Sequence, residues 1–171
     1  MASENLTGFR LSPQQEHLWR VWQGGGGTYQ AECRVRLTGA VDTPALSRAL
    51  EDVVLRHEVL RTVLRPVPGL ALPLQVVLDA AAEPLAPFDG DGRSPLRARL
   101  VPDAPGSTDG LRLLLDLPAL CADSISLENL VREIALAYAA RRGTPVERDE
   151  PIQYVDVSEI FHDFLSEEDP T

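Results

Sequence analysis

The sequence predicts an α/β fold, and three observations lead to this prediction. Tyr29–Leu37 alternates apolar and polar residues with the period of a half-buried strand. After Asp42-Thr43-Pro44, which is a typical start of a helix, apolar residues recur at helical spacing. Leu111–Tyr138 joins an apolar strand, a short loop and an amphipathic helix without interruption. With 171 residues, the chain has the length of one domain or of one lobe of a larger domain.

A capping residue and a run of glycines predict a helix and a connector at the start of the chain. Ser12–Trp22 is predicted to be a helix, because its first residue suits the N-cap and Pro13 suits the first helical turn. Gly24–Gly27 then predicts a flexible connector, since it lacks the Gly-Lys-Ser/Thr ending of a phosphate-binding loop. In the strand Tyr29–Leu37, Cys33 is predicted to face inward.

The middle of the chain is predicted to contain one helix followed by strands. The helix that starts at Asp42 carries a stripe of apolar residues and reaches its C-terminus near His57. Proline, glycine and aspartate predict a loop over Ala80–Ser94. Strands are predicted on either side of that loop, at Val59–Val67, Leu74–Leu78 and Pro95–Val101.

The last third of the chain contains the segment on which function depends. Leu111–Asp116 is a nearly continuous apolar run, which predicts a central strand. Leu117–Asp123 follows as a loop, and Ser126 is predicted to cap the next helix, which Gly143 ends. Pro151–Leu165 can form an amphipathic helix in an acidic stretch. That stretch is interpreted as a solvated face, with docking to a basic partner as the alternative.

Composition and charge exclude several classes of function. The formal net charge is −10, whereas nucleic acid requires a clustered positive surface, so no nucleic-acid partner is expected. No stretch approaches the ~18 apolar residues of a membrane span, and the N-terminus lacks the apolar core of a signal peptide. Two cysteines are too few for a disulfide framework, which favours a reduced, cytoplasmic setting. Because the histidines and cysteines form no close pairs, no metal site is expected.

Four segments resemble the conserved motifs of one family, the condensation domains of nonribosomal peptide synthetases. Ser12–Trp19 is similar to the first motif, S-x-x-Q-x-x-L-W, and Arg56–Thr62 matches the second, R-H-E-x-L-R-T, at every fixed position. Asp123–Leu127 lies where the third motif, H-H-x-x-x-D-G followed by S-L, is expected. Ile152–Asp156 looks like the Y-x-D segment that closes the N-terminal lobe of the family.

This resemblance implies a sandwich like that of chloramphenicol acetyltransferase, with two similar lobes and an active-site tunnel between them. The chain would be the N-terminal lobe over residues 12–165, a mixed sheet flanked by helices, with a lead-in at 1–11 and a tail or linker at 166–171. The implied partners are the C-terminal lobe, carrier and adenylation domains, and a tailoring enzyme. No cofactor is expected to bind directly, although the family implies the phosphopantetheine arm of a carrier protein.

The third motif departs from the family pattern at the residues that carry the chemistry. Counting back from Asp123, the two family histidines fall on Pro118 and Ala119, and the motif glycine falls on Ser124. In the family, the second histidine positions or deprotonates the acceptor amine. An alanine side chain has no group that can do so. No catalytic residue is therefore expected in this loop.

The remaining candidates are interpreted mainly as structural. The family implies that an arginine holds Asp123, and Arg56 or Arg61 could be that partner; a desolvated Asp123 acting as a base is the alternative. His57 is expected to pack near a helix C-terminus and to gain from the helix dipole. Cys121 is the one nucleophile in the loop, but its apolar neighbours should raise the pKa of the thiol and make it inert.

Three hypotheses follow for the function of the chain. The leading one is a non-catalytic condensation-like lobe that serves as a spacer or as a platform that recruits a tailoring enzyme to a carrier-bound aminoacyl group. The alternative is a divergent but active condensation domain in which Asp123 or Cys121 assists amide formation. The third is a stand-alone scaffold that forms a homodimer through the face that the second lobe covers in the family, because proteins rarely leave a large apolar patch exposed.

Overall fold

The computed structural model describes residues 8–26, 29–79, 95–104 and 110–167. In these ranges, four α-helices and five strands follow one another along the chain. They are α1 (Pro13–Val21), β1 (Gln30–Leu37), α2 (Thr43–Arg56), β2 (Thr62–Arg65), β3 (Leu74–Val77), β4 (Arg97–Pro102), β5 (Leu111–Pro118), α3 (Ser124–Arg141) and α4 (Tyr154–Glu167). The predicted α/β class is confirmed, whereas the loop predicted at Ala80–Ser94 lies outside these ranges.

β5 is the central strand of a three-stranded sheet in the order β1-β5-β4, as its apolar run predicts. Leu115 of β5 lies opposite Cys33 of β1 on one side and Ala98 of β4 on the other. β2 and β3 form a separate two-stranded sheet. Every described pair is antiparallel, so the mixed character predicted for the sheet is not seen in these strands. The chain between β4 and β5 is too short for the crossover that a parallel pair would need.

The core lies between the three-stranded sheet and the packed pair of helices α2 and α3. Alternate residues of β5 face this core and are almost completely buried, as a strand with one covered face requires. The core side chains contributed by β5 are Leu113, Leu115 and Leu117. Asp42 starts α2 by accepting a hydrogen bond from the backbone N–H of Ala45. Gly143 ends α3 in the left-handed region, at φ +88°.

Two predicted elements differ from the structure near the start of the two-stranded sheet. Val59–Val67 was predicted to be a strand, but Glu58–Arg61 forms a 3₁₀ turn and only Thr62–Arg65 pairs with β3. Local hydrogen bonds stabilise the turn, because the Thr62 hydroxyl donates to the carbonyl of Glu58 at 2.7 Å. After α1, the glycine-rich connector begins as a π-helical turn over Trp22–Gly26.

α4 packs on the N-terminal segment of the chain. Arg10 forms an ion pair with Glu159 at 2.5 Å, and the hydroxyl groups of Ser12 and Tyr154 lie 2.8 Å apart. Val155 is buried, but the rest of the predicted apolar face is largely exposed to solvent. Its exposed members are Ile160, Phe161, Phe164 and Leu165, each more than half exposed. Within the described ranges, no helix is long and apolar enough to cross a membrane.

Candidate functional site

The candidate site is built around the loop that joins β5 to α3. β5 extends two residues beyond its predicted end, so the loop is Ala119–Asp123 rather than Leu117–Asp123. The backbone N–H of Ala119 donates to the carbonyl of Tyr29 at 2.9 Å, which continues the pairing with β1. The backbone N–H of Cys121 then donates to the carbonyl of Pro118 at 2.8 Å and closes a tight turn.

Two cavities border this loop, and we call them cavity A and cavity B. Cavity A has a volume of about 360 Å³ and lies against α1, α3 and the start of α4, whereas cavity B has about 290 Å³ and lies against α1 and both sheets. Ala119 lines cavity A and Pro118 lines cavity B. The two adjacent residues to which the resemblance assigns the family histidines therefore line different cavities.

Asp123 is the N-cap of α3, a role that the sequence prediction gave wrongly to Ser126. Oδ1 of Asp123 accepts hydrogen bonds from the backbone N–H of Ser126 at 2.8 Å and from its hydroxyl at 2.7 Å. The hydrogen bond from the hydroxyl, followed by that from the N–H, holds the pKa of Asp123 below its usual range. The helix begins at Ser124 because the N–H groups of the first turn have no partner within the helix, and the Asp123 side chain accepts a hydrogen bond from one of them.

Neither Arg56 nor Arg61 is the arginine partner predicted for Asp123. Arg61 contacts the carbonyl of Leu78 and, at 3.4 Å, the carboxylate of Glu58. Arg56 contacts the carbonyl of Asp149. Arg61 thus contacts residues near it in sequence, and Arg56 links α2 to the segment before α4. Within the described residues, the Asp123 carboxylate is satisfied by α3 instead.

Glu133 of α3 forms the centre of a charged cluster at the edge of cavity A. Its Oε2 lies 3.4 Å from Nε of Arg56, 3.6 Å from Nε2 of His57 and 3.8 Å from Nη1 of Arg148. Burial lowers the pKa of His57 below its usual range, and the neighbouring Glu133 carboxylate opposes that shift. His57 is half-buried at the C-cap of α2, which agrees with its predicted position near the end of that helix. The sequence analysis did not predict its charged neighbour Glu133.

Cys121 lines both cavities but has little nucleophilic character. Burial raises the pKa of its thiol to about 12, in the direction that its apolar neighbours predict. At neutral pH the thiolate, which is the reactive form, is therefore almost absent. Nothing in the described part of the chain gathers three or more metal-ligating side chains into one group.

The fold of the chain matches that of one lobe in solved structures of condensation domains and X-domains. The chain is similar to an X-domain solved in complex with OxyB from teicoplanin biosynthesis, with 27% identity and a TM-score of 0.78, over 98% of this chain and 40% of that one. No protein-family model matches the chain.

Two relatives extend this similarity to complete synthetases. A probable non-canonical nonribosomal peptide synthetase, CymA of Salinispora arenicola, is 36% identical over 92% of this chain. The phosphinothricin tripeptide synthetase PhsB of Streptomyces viridochromogenes is 33% identical over 85%. The chain spans only 2% of CymA and 14% of PhsB. The chain belongs to the condensation-domain family of nonribosomal peptide synthetases and corresponds to one lobe of such a domain.

Proposed function

We propose that this chain is the N-terminal lobe of a condensation-like domain that forms no amide bond and serves as a structural or recruitment platform. The observation that carries the proposal is Ala119, which lines cavity A and which the motif alignment places at the position of the second histidine. Its methyl group can neither accept a proton nor hold an amine by a hydrogen bond. Loss of a general base typically reduces a rate by 10²–10⁴-fold.

Asp123 and Cys121, the two groups named by the alternative hypothesis, are poorly suited to replace the histidine. The Asp123 carboxylate is engaged as a helix cap, and the Cys121 thiol stays protonated at neutral pH. His57 has its Nε2 beside Glu133, and burial, with a smaller effect of the cations Arg56 and Arg148, lowers its pKa. These observations weigh against the alternative of an active domain in which Asp123 or Cys121 assists the reaction.

A recruitment role is supported by the similarity to the X-domain that was solved together with OxyB. By analogy, this lobe would present a carrier-bound aminoacyl group to a tailoring enzyme. Cavity A, at about 360 Å³, has the size of a small-molecule site and could receive the end of a phosphopantetheine arm. The C-terminal lobe, carrier and adenylation domains are then the expected neighbours of the chain.

The exposed apolar residues of α4 support a contact with the second lobe. Phe161 and Phe164 are each more than half exposed, and contiguous apolar patches usually mark an interface. Homodimer formation through the same face is the competing arrangement, and it brings the acidic residues of two α4 helices together. Light scattering of the two-lobed domain should show a monomer. A dimer formed by this lobe alone, which Phe164→Ser dissociates, would favour the homodimer.

A condensation assay on the two-lobed domain with loaded carrier proteins tests the absence of catalysis. Carrier-bound amide should not exceed the background measured without the domain. Robust product that is lost in Asp123→Ala, while circular dichroism shows that the variant is still folded, would show that the domain is an enzyme.

A binding assay tests the recruitment role. Ala119→Trp fills cavity A and should weaken binding of the loaded carrier at least tenfold. The matched control is Leu55→Trp, on the exposed side of α2 and outside both cavities, which should leave binding unchanged. Equal binding by both variants would argue against a role of cavity A.

A further inference from the structure

Cavities A and B are separated by a wall that is only a few side chains thick. The residues that line both cavities are Gln15, Val59, Leu120 and Cys121. Two of these belong to the loop Ala119–Asp123, so the position of the loop decides whether the cavities stay separate. Leu120 is buried in this wall, and its backbone carbonyl is directed toward α1.

Gln15 of α1 is the side chain that fixes this carbonyl. Its Nε2 donates to the carbonyl of Leu120 at 3.2 Å and to Oε1 of Gln75 at 3.0 Å, while its Oε1 accepts from the backbone N–H of Ser12 at 3.0 Å. In the part of the chain that the structure describes, no side chain from another segment besides Gln15 bonds to the backbone of the loop. Gln15 is itself almost completely buried, so losing one of these partners would leave a buried polar group unsatisfied, which is costly.

The hydrogen bonds that hold Gln15 continue into the rest of the lobe. The Nε2 of Gln75 donates to the carbonyl of Arg10 at 2.8 Å, and the backbone of Gln75 pairs with Phe9. The hydroxyl of Ser158 on α4 donates to the same Arg10 carbonyl at 3.0 Å. A chain of buried and partly buried hydrogen bonds thus connects the loop to β3, to the N-terminal segment and to α4, and such a network makes the Gln15 side chain more rigid.

We infer that Gln15 is a positioning residue whose carboxamide holds Leu120 in the wall between cavities A and B. Without this bond, the loop Ala119–Asp123 opens, the two cavities join, and the partly exposed Cys121 thiol becomes more accessible. The inference concerns the shape of the site and goes beyond the proposed function, because it holds whether or not the complete domain forms amide bonds.

Thiol labelling tests the inference, since Cys33 and Cys121 are the two cysteines of the chain. The labelling rate of each thiol with a neutral disulfide reagent at pH 8 would be measured by peptide mass spectrometry. Gln15→Ala should raise the rate at Cys121 at least tenfold, because an exposed thiol has a pKa of about 8.5. Cys33, which packs against the core from β1, should keep its rate.

Two further variants separate local opening from general destabilisation. Gln15→Glu retains an acceptor for the Ser12 N–H but, when ionised, has no N–H to donate, so it should open the loop as Gln15→Ala does. Gln14→Ala is the matched control, because Gln14 lies on the same helix and lines cavity A but makes no bond to the loop in the described residues. Parallel acceleration at both cysteines, or equal Cys121 rates in Gln14→Ala and Gln15→Ala, would overturn the inference.

Tryptophan fluorescence tests separately whether the two cavities join. Trp19 and Trp22, the two tryptophans of the chain, both line cavity B. Acrylamide should quench their fluorescence more strongly in the Gln15 variants than in the unmodified protein or in Gln14→Ala. Faster labelling of Cys121 with unchanged quenching would show that the cavities stay separate and would overturn that part of the inference.

Discussion

The Asp123 carboxylate and Ser126 form the cap that starts α3. Oδ1 of Asp123 lies 2.8 Å from the backbone nitrogen of Ser126 and 2.7 Å from its hydroxyl oxygen. The only acid of the third motif is therefore bound to the helix that follows the loop. A helix N-terminus also favours a negative charge through its dipole. These contacts support the proposal that the aspartate has a structural role rather than a role in proton transfer.

The stability of the lobe should therefore depend on Asp123. Asp123→Ala removes the cap, and we expect the free energy of unfolding in urea at pH 7 to fall by about 1 kcal/mol. Asp123→Asn should cost less, because an amide oxygen can still accept from the Ser126 N–H. Because the folded-state pKa of Asp123 is depressed, its stabilising effect is present above the unfolded pKa of about 3.9 and is lost as the pH falls through the folded pKa.

Repeating the unfolding of these variants at low pH provides a control. The difference between Asp123→Ala and the unmodified protein should shrink when unfolding is repeated near pH 3. A difference that stays constant from pH 7 to pH 3 would contradict a role of the ionised carboxylate. Glu147→Ala, at an exposed position outside the helices, should change the free energy of unfolding little at either pH.

Sequence reasoning succeeded where a structure depends on neighbours along the chain. The caps at Ser12 and Asp42 each act across three residues, so the local pattern predicts them. The buried position of β5 follows from its own apolar run. The strand predicted at Val59–Val67 was wrong because the 3₁₀ turn at its start depends on hydrogen bonds, such as that of Thr62 with Glu58, which an apolar pattern does not reveal.

The site itself was less predictable because it depends on distant contacts. Glu133 borders the apolar stripe of α3, which could have drawn attention to it, but Arg56 and Arg148 reach it from separate segments. The separation of Pro118 from Ala119 into different cavities arises from two additional strand residues in β5. Boundaries of elements are set by tertiary pairing, here between Ala119 and Tyr29, and no local signal records that pairing.

The charged cluster predicts how the pKa of His57 responds to Glu133. Burial lowers this pKa and the Glu133 carboxylate raises it, so Glu133→Gln should lower the pKa of His57 further. Since the depressed pKa means that the folded state binds fewer protons, the contribution of His57 to stability should fall as the pH drops below about 6.5. NMR titration of the imidazole measures this pKa directly. A pKa above 6.5, or one that rises in Glu133→Gln, would contradict the assignment.

The two faces of β5 should differ in their effect on stability. Leu115 is 1% exposed and belongs to the core cluster, so Leu115→Ala should lower the free energy of unfolding by about 2–5 kcal/mol. The adjacent Leu114 points to the opposite face and is only partly buried, so Leu114→Ala should cost less. Urea denaturation of the two variants measures the difference. Equal losses would show that both faces of the sheet are covered to the same extent.

Because Pro118 and Ala119 line different cavities, a histidine substitution at each position gives the sharpest test of the proposed loss of catalysis. In the two-lobed domain, Ala119→His places an imidazole at the wall of cavity A, where a general base contributes 10²–10⁴-fold in established enzymes. We expect at least a tenfold gain in carrier-bound amide in a single-turnover assay followed by mass spectrometry. Pro118→His is the matched control, because its side chain lines cavity B and should give no gain. No gain from Ala119→His, or an equal gain from both variants, would mean that the missing base does not explain the lack of activity.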